Sequence, residues 1–186
     1  MPSVIDICNS ALDKIGQTPI MSLADGNKAA KVCNRNWPLA RDKALRDAIP
    51  NFAVRRAILA PSVTPPAWGF GSSFPLPADN LRLIEVLDHS TGDYRVEGGA
   101  ILANGSVMRI RYVSRIEDPN AFDALFCDVA ALALALEICE PITQSNTKLQ
   151  GIAELYEQAL TKATRAAAQE NPPVPFEEDS WIAVRY

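Results

Sequence analysis

The sequence contains a single histidine, His89, and four cysteines, at positions 8, 33, 127 and 139. No two cysteines are spaced as Cys-x-x-Cys, and a single histidine without metal-spaced cysteines does not predict a zinc site. A G-x-G-x-x-G or P-loop pattern is also lacking, because the glycine-containing stretch GGAILANG lies between strand-like segments with no helix behind it. We therefore expect no metal, no cofactor and no nucleotide-binding loop.

A basic excess and a long apolar run are missing as well. The chain has 18 basic and 22 acidic residues, mixed along its length. A protein that binds DNA from outside usually carries an excess of basic residues or a stripe of them on its surface. The strongest apolar run, residues 129–136, is far shorter than the roughly 20 residues that a membrane-spanning helix needs. The first residues lack the basic start and apolar stretch of a signal peptide. These features predict a cytosolic product with reduced, buried thiols and no membrane association.

Helical periodicity dominates both ends of the sequence. Apolar residues from Val4 to Ile15 repeat at helical spacing, with a near capping box at Ser3 and a stop at Gly16. A second helix should begin near Asn27, with a kink or break at Pro38. A shorter helix is predicted over 51–60.

Two further helices follow later in the chain. Residues 119–139 are apolar nearly all round, which predicts the central buried helix. Asp128 and Glu137 on this helix then need charged partners, in the same chain or between subunits. Residues 146–170 form the last helix, with one apolar stripe.

Between these helical parts the apolar period changes to two. Residues 81–88 alternate, Gly98-Gly99 separates two short strands, and Asn104-Gly105 favours a type I′ hairpin before the strand VMRIRYV. The fold class that we predict is α+β, mainly α. It is a bundle of long helices with a small antiparallel β excursion and an extended C-terminal arm. The predicted parts are a helical body over 1–60 and 116–170, a loop plus β-meander over 61–115, and the arm over 171–186.

Polar clusters offer little catalytic chemistry. Asp88, His89, Ser90 and Asp93 could form the centre of a small hydrolase, but the same residue types make ordinary turns between strands. Lys28, Lys31 and Arg35 form one stripe, which favours the solvated side of an amphipathic helix. We therefore predict a protein that is not an enzyme, with a hydrolase as the alternative.

Two segments rich in proline carry aromatic residues, which suggests docking to a partner. Burying the apolar side chains of 171–186 would contribute about 9–18 kcal/mol. Ordering its backbone costs of order 16–30 kcal/mol, so this arm should become ordered only on a partner. The predicted docking residues are Trp68, Phe70 and Phe74 in the first segment and Val174, Phe176, Trp181, Ile182, Val184 and Tyr186 in the second.

Arg109 and Arg111 alternate with Met108, Ile110 and Tyr112 in the strand VMRIRYV. One face of this strand should therefore be buried and the other exposed to solvent. On the exposed face, the two arginines are candidates for contacts with acidic groups of a neighbouring subunit.

Five segments, in this order and spacing, resemble the head-to-tail adaptor proteins of short-tailed bacteriophages, also called tail tubular protein A or head completion proteins. The resemblance covers about residues 3–170, although Pro50 stands where many relatives have tryptophan. The segments are IDICNSALDKIGQTPIMSL, ARDKALRDAIPNFAVRRAILA, FPLPADNLRLIEV, FDALFCDVAALALALEI and ELYEQALTKATRAAAQE.

The resemblance implies a structural virion protein at the head-tail junction, which forms a dodecameric ring under the portal and a platform for the tail nozzle or tube. Genomic DNA would pass through the ring without sequence-specific binding. A neutral or acidic channel wall suits that passage, because tight phosphate contacts would hold the genome. The alternative outside the virion is a cytosolic scaffold protein.

Overall fold

The computed structural model describes residues 2–87 and 92–171. The chain begins with two helices, α1 (Val4–Lys14) and α2 (Lys28–Ala48), and a 3-10 turn at Asn51–Ala53. Six strands follow: β1 (Val54–Leu59), β2 (Ser72–Pro75), β3 (Asn80–Leu87), β4 (Tyr94–Glu97), β5 (Ala100–Ala103) and β6 (Met108–Ser114). After a second 3-10 turn at Pro119–Ala121, helices α3 (Ala124–Thr143) and α4 (Asn146–Glu170) complete the described chain.

The helix starts follow local capping chemistry. Ser3 and Asp6 form the predicted capping box of α1, in which each residue bonds the backbone N–H of the other. Asn27 caps α2 as predicted, and Asp123 and Ser145 cap α3 and α4. Of the kink or break predicted at Pro38, the break is wrong, because α2 runs without interruption through that residue.

The first core lies among the helices. α3 is its centre, as predicted, and contacts α1, α2 and α4. Its buried residues include Phe126, Leu132, Leu134 and Ile138. The rings of Phe52 and Phe122 pack on Phe126 at centroid distances of 5.2 and 4.9 Å, which joins the loops on either side of the strands to this core.

The strands form two three-stranded antiparallel sheets, with orders β1-β6-β3 (sheet A) and β2-β5-β4 (sheet B). A second core lies between them and contains Phe74, Ile101, Met108, Ile110 and Tyr112. Sheet A also reaches the helices, because Val113 of β6 belongs to the first core. Arg46 of α2 donates to the carbonyl of Leu81, so α2 lies beside β3.

The predicted bundle of long helices with a small β excursion is therefore wrong: the fold is α+β with two sheets and two cores. Residues 54–59, predicted as helix, form β1 and pair with β6 along its length. Part of the segment predicted to be irregular forms β2. In both places pairing with a distant strand overrides a weak local preference.

The hairpin at Gly98-Gly99 is confirmed, with Glu97 opposite Ala100. The meander and the hairpin at Asn104-Gly105 are wrong, because β5 and β6 lie in different sheets. Asn104 instead accepts a hydrogen bond from the backbone N–H of Gly71, and so ties this crossover to the start of β2. The predicted arm lies outside the described residues from position 172 onward.

Candidate interaction surface

Strand alternation gives sheet A one buried face and one outer face. β6 directs Met108, Ile110 and Tyr112 into the second core. Arg109 and Arg111 lie on the opposite face, as predicted, with Arg109 exposed and Arg111 partly exposed.

The register of β1 and β3 extends this outer face into two rows. One row runs across the sheet through Arg111 and the other through Arg109. At the far end of β6 the same face is covered by helices, since Val113 is buried in the first core. The exposed part consists of six residues, which we call the arginine face: Arg56, Arg111 and Glu85 in one row and Ile58, Arg109 and Leu87 in the other.

The charges of the arginine face are unbalanced. Arg111 donates from Nη1 to Glu85 Oε2 at 3.0 Å. On its other side Arg111 stands opposite Arg56, and like charges in this arrangement repel. The Nε of Arg111 is buried and makes no hydrogen bond to the described residues. The row of Arg56, Arg111 and Glu85 therefore has a surplus of positive charge and, among the described residues, an unmet donor.

Apolar side chains accompany these charges. Ile58 is 74% exposed and Leu87 is 38% exposed. Beside Arg111 lies a groove of about 230 Å³ between sheet A and the last turns of α4, with Ile84, Ala167, Ala168 and Asn171 in its lining. A combination of apolar side chains and arginine is typical of the centre of a protein–protein interface.

Two residues of this surface do not follow from the helical pattern of their segment. Arg56 and Ile58 fall in the segment 51–60 that was predicted as helix. The alternation of VRRAIL, with a charged residue and an isoleucine two apart, is the signal that could have placed them on one strand face. Subunit contacts of Arg109 and Arg111 stay a prediction.

The first predicted docking segment is divided by the structure. Trp68 is 83% exposed in the loop before β2, and Phe70 is partly buried. Phe74 is fully buried in the second core, so its assignment as a docking residue is wrong. Its place in β2 turns it inward against Ile101, its partner on β5.

The other candidates fall outside the described residues. They are the six predicted docking residues Val174, Phe176, Trp181, Ile182, Val184 and Tyr186, and Asp88, His89 and Ser90 of the alternative hydrolase centre. Among the described residues, 2–87 and 92–171, no group of three or more His, Cys, Asp or Glu side chains is arranged to hold a metal ion.

Several polar contacts within the chain hold the helices together. Lys14 pairs with Asp128 at 2.8 Å and Lys43 with Glu137 at 3.3 Å, so Asp128 and Glu137 have partners in their own chain. Tyr156 donates to Asp47 at 2.8 Å. Burial, together with the hydrogen bond to this carboxylate, raises the pKa of Tyr156 well above its usual range.

The cysteines are free thiols, as predicted. Cys8, Cys33 and Cys139 are buried and Cys127 is partly exposed. The hydrogen bond with Cys33, together with burial, raises the pKa of Cys8. Burial also raises the pKa of Cys127. Raised thiol pKa values disfavour the reactive thiolate.

In the described part of the chain, no helix combines the length and apolar character required to cross a membrane. No protein-family model matches the sequence, and a search of curated proteins gave no match.

Proposed function

We propose that this protein is a structural head-to-tail adaptor of a short-tailed bacteriophage. Copies of the chain assemble as a dodecameric ring beneath the portal, extend the channel for the genome and present a platform to the tail nozzle or tube. The observation that carries the proposal is the family-like order and spacing of five segments over residues 3–170. Of these segments, four contribute to α1, α2, α3 and α4, whose apolar faces form the first core.

The arginine face supports self-association as the way in which such a subunit works. It presents Ile58 and Leu87 to solvent beside Arg56 and Arg111, and exposed apolar side chains rimmed by charge are typical of surfaces that become buried on assembly. In a ring each subunit has the same two neighbours. Each contact around the ring can then use the arginine face of one of the two subunits that meet there.

DNA passage through the ring does not require a binding site on this chain. Acidic residues outnumber basic ones over the whole sequence. Arginines that are committed to subunit contacts are also unavailable to phosphates. The genome would therefore meet a wall that does not retain it by counterion release.

Electron microscopy of the purified protein, alone and mixed with the portal protein encoded in the same genome, tests the proposal. We expect rings with twelvefold symmetry stacked coaxially on the portal, with one subunit per portal subunit. A protein that stays monomeric with the portal present, or that is absent from the portal vertex of purified particles, would contradict the adaptor function.

A further inference from the structure

The arginine face has the properties of a binding site for an acidic segment. Arg56 and Arg111 share one row of the face with the carboxylate of Glu85. Arg56 and Arg111 stand opposite each other, and the buried Nε of Arg111 lacks an acceptor among the described residues. An incoming carboxylate would relieve the repulsion between the two arginines.

The ligand of this face also needs apolar side chains. Ile58 is 74% exposed, and the neighbouring groove is lined by Val54, Ile84, Ala167 and Ala168 as well as Arg111. A purely anionic ligand would leave these apolar surfaces in contact with water. A peptide that alternates acidic and large apolar residues satisfies both requirements.

The chain itself contains such a peptide just beyond the described residues. Residues 176–184 read FEEDSWIAV, which places Glu177, Glu178 and Asp179 between an aromatic residue and a second apolar cluster. Asn171, the last described residue, lines the same groove as Arg111. We propose that residues 176–184 of one copy dock on the arginine face of a neighbouring copy. This proposal rests on the proposed ring, which gives each copy a neighbour.

The composition of the connecting stretch favours the neighbour over the same copy. Positions 172, 173 and 175 are proline, and proline-rich stretches favour an extended, stiff conformation with a rise of about 3.1 Å per residue. Over residues 171–177 this amounts to about 19 Å. Arg111 of the same copy lines the same groove as Asn171, so a connection of that length, if extended, would carry the acidic residues beyond it.

Cross-linking between two differently tagged populations tests the docking. Both populations carry Cys127→Ser, because the other three cysteines are buried. One carries Arg56→Cys and the other Glu178→Cys, and the two are produced together in one cell before mild oxidation. We expect a disulfide-linked product that contains both tags and disappears on reduction. Arg35→Cys in place of Arg56→Cys is the control at an exposed site of α2 and should give no such product.

A doubly substituted chain, with Arg56→Cys and Glu178→Cys together, distinguishes the two possible origins of the segment. Co-expression with an excess of unsubstituted chain should lower the cross-linked fraction in proportion to the dilution. A cross-link within one chain that resists dilution would overturn the proposal in favour of the same copy. Absence of any cross-link would overturn the docking altogether.

Charge reversal gives a second readout. Arg56→Glu should lower the yield of a cross-link between Glu178→Cys and Ile58→Cys about tenfold. This factor corresponds to a loss of about 1.4 kcal/mol of binding free energy. Combination with Glu177→Arg should restore the yield. If Arg56→Glu instead leaves the cross-link intact and abolishes binding of a short DNA duplex, the face binds phosphates and the proposal fails.

The docking and the adaptor function can fail separately. Twelvefold rings on the portal without the cross-link would overturn the docking and leave the adaptor function in place. Cross-linked oligomers that ignore the portal would support the docking and contradict the adaptor function.

Discussion

Arg56 of β1 and Arg111 of β6 are directly opposite each other on the outer face of sheet A. Arg111 is neutralised on one side only, by Glu85 at 3.0 Å. Two arginines in such a position are a poor choice for the stability of a solitary chain, because like charges on opposed strand positions destabilise a sheet. Their presence is explained if a partner supplies the missing negative charge.

The first prediction concerns the stability of the unassembled chain. Arg56→Glu replaces a like-charge pair by an opposite-charge pair, so the free energy of unfolding of the monomer should rise by about 0.2–1 kcal/mol. Urea titrations at low ionic strength measure the change, and salt should reduce it. Arg95→Glu, at an exposed position of β4 opposite Leu102, is the control. A monomer destabilised by Arg56→Glu would show that the two arginines do not repel.

The second prediction concerns Asp79, which forms hydrogen bonds with the end of β6. Its carboxylate accepts hydrogen bonds from Ser114 at 2.6 Å and from Tyr112 at 3.3 Å. Asp79→Ala leaves the buried hydroxyl of Ser114 without its acceptor, which should cost about 1–3 kcal/mol of unfolding free energy.

Asp79→Asn keeps an oxygen acceptor at the same position, so it should lose less than Asp79→Ala in the same denaturant titrations. Equal losses for the two variants would show that the contribution of Asp79 does not come from its acceptor oxygen.

The third prediction concerns α3. Leu132 is 2% exposed and Leu125 is 44% exposed on the same helix. Leu132→Ala should lower the free energy of unfolding by about 3–5 kcal/mol, because it removes buried methyl groups and leaves a cavity. Leu125→Ala makes the same chemical change at the surface and should cost less than about 1 kcal/mol. Similar losses at both positions would show that α3 is not the centre of the helical core.

The helices could be predicted because their signals are local. The Ser3–Asp6 box and the Asn27 cap act within three residues, and the apolar character of α3 is visible in a single window of sequence. The sheets could not be predicted in the same way. β1 pairs with β6, whose partner residues lie about 50–60 positions later in the chain, and the pairing decides the conformation of VRRAIL against its local preference.

The candidate surface was predictable in part for the same reason. Arg109 and Arg111 could be found because their own strand alternates clearly. Arg56 joins them only through the register of β1, which no local pattern provides. Phe74 could not be placed correctly because a segment rich in proline and glycine predicts irregular structure, whereas its phenylalanine closes the core between the two sheets.

The fourth prediction concerns the thiols. In the folded protein at neutral pH, a thiol reagent such as Ellman's reagent should modify Cys127 slowly, since this thiol is partly exposed but burial raises its pKa. Cys8, Cys33 and Cys139 should react only after unfolding. Cys127→Ser should abolish the slow reaction of the native protein and leave three thiols for the unfolded chain. Rapid reaction of several thiols in the native state would contradict the buried positions of the other three.

The fifth prediction concerns pH and the start of α1. Hydrogen bonds from the side chain and the backbone of Ser3 lower the pKa of Asp6. A carboxyl whose pKa is lower in the folded than in the unfolded state stabilises the fold above the unfolded pKa of about 3.9. This contribution is lost as the pH falls through the folded value.

Asp6→Asn should therefore be less stable than the parent protein at pH 6, and the difference should shrink below pH 4. Asparagine keeps the size of the side chain and lacks the charge. A difference in unfolding free energy that persists unchanged at pH 3 would therefore show that the capping box does not depend on the ionised carboxylate.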